Sequence, residues 1–111
     1  AHSEVRMIAP GLILAEITNV LHKRVVRREI DLSTAEKALN LIMDFDFEVH
    51  EEPGMPSLAL ELASRLGRAS TYDCYYLALA VITDCPFWTG DRKSYQAVSN
   101  AYPQVKWVGD Y

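Results

Sequence analysis

The stretch from Tyr72 to about Ile82 constrains the fold more than any other part of this chain. Asp73 is its one charged residue, and Tyr76, Leu77, Ala80 and Val81 leave it apolar nearly all round. Ser70 or Thr71 can cap its start, and a helix without a polar face is buried on most of its sides. Other elements must therefore pack around it.

Periodicity and punctuation say what those elements are. Pro10-Gly11 opens a helix from Leu12 to about Arg28, in which Leu14, Ile17, Leu21 and Val25 recur at helical spacing. Ser33-Thr34-Ala35-Glu36 has the form of a capping box and predicts a second helix, starting there and running to about Met43. Phe45, Phe47 and Val49 alternate with Asp46, Glu48 and His50, which is the period of a short strand. Pro53-Gly54 and Pro56 break the chain, Leu58 to Leu66 returns to helical spacing, and Gly67 supplies a left-handed stop. Beyond the buried helix, Phe87-Trp88-Thr89 reads as a strand, Arg92 to Val98 as a short helix and Val105 to Val108 as a last strand. Helices alternating with short apolar strands predict parallel strands joined by crossover helices, hence an α/β layered fold. Ligands in such folds sit at the carboxyl ends of the strands.

Composition bounds the rest. With 111 residues, half of them hydrophobic, residues 1–111 have the profile of one domain with a real core. No stretch approaches the ~18 consecutive apolar residues of a membrane span, so a soluble, cytoplasmic protein is expected. Cys74 and Cys85 lack metal-ligand spacing and read as free thiols in a reducing compartment. A net charge of -4 argues against a module that grips nucleic acid by basic surface alone. It argues less against a nuclease, whose metal needs acids around it. Lys23, Arg24, Arg27 and Arg28 read as the basic end of a helix rather than as a nucleic-acid patch.

Three acids stand where charge is awkward. Glu16 lies inside Leu12-Ile13-Leu14-Ala15-Glu16-Ile17, Asp73 opens the apolar helix, and Asp91 follows the strand Phe87 to Thr89 at its carboxyl end. Taken singly, each has a plain alternative: a solvated helix edge for Glu16, a first-turn complement to the helix dipole for Asp73, a turn residue for Asp91. Taken together they suggest one site. His2, His22 and His50 show no common spacing, so oxygen ligands and therefore Mg²⁺ or Mn²⁺ are expected.

At this point the chain resembles the PIN domain, particularly the toxin ribonucleases of VapBC-type toxin-antitoxin pairs. The segments that carry the resemblance are Ala9-Pro10-Gly11-Leu12 through Glu16 to Leu21, Ser70-Thr71-Tyr72-Asp73 through Ala80, and Trp88-Thr89-Gly90-Asp91-Arg92. It implies a three-layer α/β/α sandwich with a parallel sheet and a Mg²⁺- or Mn²⁺-dependent endoribonuclease that cleaves RNA and is inhibited by a cognate antitoxin. Glu16, Asp73 and Asp91 take the metal roles, Thr89 the hydroxyl beside the last acid, and Asn19 a polar position one turn after Glu16. The family also begins with a strand ending in a further acid, which Ala1 to Ile8 does not match. The expectation is that this strand and the following helix are missing, leaving a sheet edge that pairing between copies, in a homodimer, would cover. A catalytically inactive PIN-like domain that binds RNA or protein, and an α/β domain whose acids bind a cationic small molecule, are the alternatives.

Overall fold

A computed structural model describes residues 6–68 and 70–110, so the opening Ala1-His2-Ser3 lies outside the described residues. The chain separates into two units, Ala1–His50 and Glu51–Tyr111.

The first unit contains β1 (Met7–Ala9), α1 (Leu12–Val26), α2 (Leu32–Met43) and β2 (Phe47–Val49). β1 and β2 pair in parallel, with Met7 opposite Phe47 and Ala9 opposite Val49, and the His50 N–H extends the ladder to the Ala9 carbonyl at 2.8 Å. Parallel neighbours need a crossover connection, which the two helices supply. The strand β1 falls in a stretch to which the sequence assigned no element: three residues before Pro10 are too few to show an alternation. At its entry the Arg6 guanidinium donates twice to the Glu48 carboxylate, both bonds 2.7 Å. Those bonds, then the neighbouring His50, hold the Glu48 carboxyl at about 2.

The start of α2 differs from the capping-box reading. Its N-cap is Asp31, whose carboxylate accepts from the Thr34 N–H at 2.7 Å, so Ser33 and Glu36 lie inside the helix. Both Asp and Ser cap well, and the earlier residue also admits Leu32 to the helix. β2 is likewise shorter than the Phe45 to His50 alternation, because Phe45 stays in the turn after α2 with its N–H bonded to the Ile42 carbonyl.

The second unit contains α3 (Met55–Arg65), α4 (Tyr72–Thr83), β3 (Phe87–Thr89), α5 (Arg92–Val98) and β4 (Val105–Trp107), closed by a 3₁₀ turn over Val108–Asp110. That turn explains why the last strand stops before Val108. α3 starts at Met55 rather than Leu58, with Pro56 in the first turn, where a missing N–H costs nothing. β3 and β4 pair in parallel, Phe87 opposite Val105 and Thr89 opposite Trp107. The core gathers Ala59, Leu62 and Ala63 of α3, Cys74, Leu77 and Ala78 of α4, Val98 and Val105. Small residues on both helices let them approach closely, and Leu62 and Leu77 each contribute about 1.5–3 kcal/mol by leaving water. As its sequence required, α4 is buried along most of its length, from Cys74 through Ala80 at five positions.

The protein is thus a mixed chain with two small parallel strand pairs, in keeping with the α/β class. Among the described residues no helix is long and apolar enough to cross a membrane.

Candidate functional site

The carboxyl end of β3 and the start of α4 both lie in the second unit, and there the structure brings Asp73 and Asp91 together. Asp91 is the N-cap of α5: Oδ1 accepts from the N–H groups of Lys93 at 3.0 Å and Ser94 at 3.3 Å. Its other oxygen, Oδ2, accepts from the Ser94 hydroxyl at 2.9 Å. These bonds fix the carboxylate at the strand's end. The Ser94 hydroxyl most of all, then the two amides, hold the Asp91 carboxyl below the usual carboxylate range, and the charge of Arg68 adds to this.

Thr89 supports the same acid from behind. Its Oγ1 accepts from the Asp91 N–H at 3.0 Å, so the hydroxyl that the resemblance sets beside the last acid orders the backbone that presents the carboxylate.

Asp73 stands in the first turn of α4, with Ser70 Oγ accepting from the neighbouring Tyr72 N–H. Its Oδ2 lies 3.5 Å from Ser94 Oγ. One serine oxygen is therefore within reach of both carboxylates. A hydroxyl carries a single proton, and the shorter contact to Asp91 takes it.

The cation that balances this pair is Arg68, which sequence reasoning did not identify. Its Nη2 donates to Asp73 Oδ2 at 2.8 Å and to Ser94 Oγ at 3.1 Å. The reason it stands there is local. Gly67 takes φ +65°, the Gly67 N–H bonds to the Ser64 carbonyl, and the Arg68 N–H reaches back to the Ala63 carbonyl at 2.9 Å. That is a Schellman close to α3, and it anchors the Arg68 backbone without help from Asp73. The signal was visible as a Gly-Arg pair after a helical run, five residues before Asp73. Ser94 had no such signal beyond its place in the first turn of a helix.

A cavity of about 230 Å³ opens beside these groups, lined by them and by apolar walls that include Leu66, Tyr76, Phe87 and Trp88. The rings of Tyr76 and Phe87 stack at 5.9 Å. Cys74, next to Asp73, is a buried free thiol; burial first, then the Asp73 charge, pushes its pKa up and keeps it protonated. Cys85 is a free thiol as well.

Glu16 and Asn19 belong to the first unit. Glu16 is half-buried on α1 and Asn19 is exposed one turn further on. Of the basic residues there, Lys23 and Arg24 do lie in the last turn of α1, where the helix dipole favours them, and Arg24 pairs with Glu29 at 3.3 Å. Within neither unit do three or more His, Cys, Asp or Glu among the described residues gather as a metal-binding group. What the second unit offers is a pair: two carboxylates joined by a hydroxyl, which is an all-oxygen donor set suited to a hard divalent cation. A guanidinium already engages one of them.

A sequence model of the PIN domain matches residues 1–99, across both units. No curated protein and no solved structure matches the chain.

Proposed function

We propose, from the premise that this chain belongs to the PIN domain family, that it is a Mg²⁺- or Mn²⁺-dependent endoribonuclease and the toxin of a toxin-antitoxin pair. PIN domains are generally nucleases, and the family supplies the reaction class. The observation that carries the reading to this chain is the meeting of Asp73 and Asp91 on the Ser94 hydroxyl at the carboxyl end of β3. The reading includes the family's three-layer α/β/α sandwich, a homodimer, a cytoplasmic setting, and an antitoxin that occludes the acids.

On this reading Asp73 and Asp91 hold the metal in the second unit, and Glu16 of the first unit keeps the metal role that the family resemblance gives it. When bound, the metal supplies the charge that activates water and stabilises a phosphodiester under in-line attack. The chain's own groups do the positioning. Ser94 and the α5 amides aim the Asp91 carboxylate, Thr89 fixes the turn behind it, and Asp73 is presented at the rim of the cavity with Arg68 beside it.

The test is cleavage of single-stranded RNA with Mn²⁺, run against Asp73→Asn and Asp91→Asn. Metal-dependent cleavage that both substitutions abolish is expected. Cleavage untouched by Asp91→Asn defeats the reading. The second reading, a PIN-like domain that binds RNA or protein without cutting, is favoured by one observation, the neutralisation of Asp73 by Arg68. It predicts oligonucleotide binding that is independent of Mn²⁺.

A further inference from the structure

Arg68 is a cation placed in a carboxylate site that is read as binding a different cation. Two observations make this more than a surface ion pair. The Arg68 side chain is only 24% exposed, and its guanidinium touches both Asp73 Oδ2 and Ser94 Oγ, so it sits in the network that links the two acids. Its backbone is held by the close of α3, so the side chain can leave Asp73 while its origin stays fixed.

Geometry and charge then allow two states. With no divalent ion, the guanidinium satisfies Asp73 and relieves the repulsion between two neighbouring carboxylates. With a divalent ion on the carboxylates, a second cation on the same oxygen is repelled, and a five-donor guanidinium on a flexible stem at a cavity rim is left beside the acids. The group that suits it there is the phosphate of a nucleic-acid backbone, which takes guanidinium in a paired, bidentate fashion.

We propose that Arg68 is a phosphate-binding residue of this site which rests on Asp73 until a divalent cation displaces it. The inference deepens the nuclease reading and rests on it. It makes Arg68 both a competitor for the metal and a contact for the substrate, two roles with opposite signatures on substitution.

The experiment measures binding alone. Mn²⁺ affinity is read by calorimetry, and affinity for a short fluorescent single-stranded DNA oligonucleotide, checked by gel to stay intact, is read by anisotropy in saturating Mn²⁺. Arg68→Gln removes the charge; Arg68→Lys keeps it. For Arg68→Gln, Mn²⁺ affinity rises about threefold, the weight of one half-exposed ion pair. Oligonucleotide affinity falls about fivefold, and its salt dependence loses roughly one ion. Arg68→Lys keeps the charge but not the paired geometry, so its Mn²⁺ affinity stays near the parent and its oligonucleotide affinity falls less than that of Arg68→Gln. A residue that merely braced the fold would loosen metal and oligonucleotide together, and thermal melts of both variants check that neither has unfolded. Mn²⁺ affinity that is unchanged or weaker in Arg68→Gln overturns the proposal, as does unchanged oligonucleotide affinity. A parent chain that binds no Mn²⁺, or binds it equally well after Asp91→Asn, overturns the metal reading and the role of Arg68 with it; the first two results overturn the role of Arg68 alone.

Discussion

Asp91 carries two loads that a pair of substitutions can separate. As the N-cap of α5 it satisfies two backbone amides through Oδ1, and as an acid it presents Oδ2 to the site. Asparagine keeps the first load, since its carbonyl oxygen can accept from the same Lys93 and Ser94 amides, and Asn caps about as well as Asp. Its Nδ2 then stands where Oδ2 was and donates to Ser94 Oγ, whose proton turns to the Asp73 oxygen 3.5 Å away. No polar group is orphaned. Alanine keeps neither load and leaves two amides at the helix start unsatisfied. For a chain of this size the lost cap lowers the thermal midpoint by roughly 4 °C, whereas Asp91→Asn shifts it by less than about 2 °C. Nuclease activity orders the variants differently. Both lose at least the roughly 10- to 100-fold that removing even an outer partner costs a metal site. Calorimetric melts and RNA cleavage on one set of samples decide the matter. Equal destabilisation by Asn and Ala would refute the capping account, and wild-type cleavage by the asparagine variant would refute the chemical one.

Two further outcomes are expected. Leu77, 2% exposed in the core of the second unit, becomes a cavity in Leu77→Ala, which destabilises the protein by about 3 kcal/mol in urea denaturation; a loss below about 1 kcal/mol contradicts the packing described for α4. Glu48 is held at about 2, below its ordinary value of 4.5, so its pairing stabilises the fold above pH 4.5 and is lost as pH falls toward 2. In Arg6→Gln the Glu48 carboxyl, followed by NMR through an acid titration, moves back toward 4.5; a titration that stays near 2 shows that Arg6 is not what holds it.

Legibility in the sequence followed the number of residues that carry each signal. α4 was readable because burial left its mark on every turn, and β3 because Phe87-Trp88-Thr89, two aromatic residues and a β-branched one, stood alone between turn residues. β1 was not, since three residues beside Pro10 show no period, and their strand character comes from pairing with Phe47 to Val49 far along the chain. At the start of α2, two competent capping residues stood two positions apart, and only the folded backbone chooses Asp31 over Ser33. The same contrast governs the site. Asp73 and Asp91 were visible because acids at a helix start and a strand end mean something before any fold is known. Arg68 and Ser94 were not, because an arginine in a loop and a serine in a helix are common, and their meaning is a distance to residues elsewhere.

That distance has a physical origin which ties the site to the fold around it. The turn that ends α3 requires a left-handed residue, Gly67 supplies it, and the next residue is thereby fixed against the last turn of the helix. The start of α5 requires an acceptor, Asp91 supplies it, and a serine in the first turn is thereby fixed against the free oxygen of the cap. Each half of the network is thus the by-product of ending or starting a helix, and neither half needs the other in order to form. A site assembled in this way can exchange the cation at its centre, because releasing the Arg68 side chain from Asp73 undoes no helix terminus.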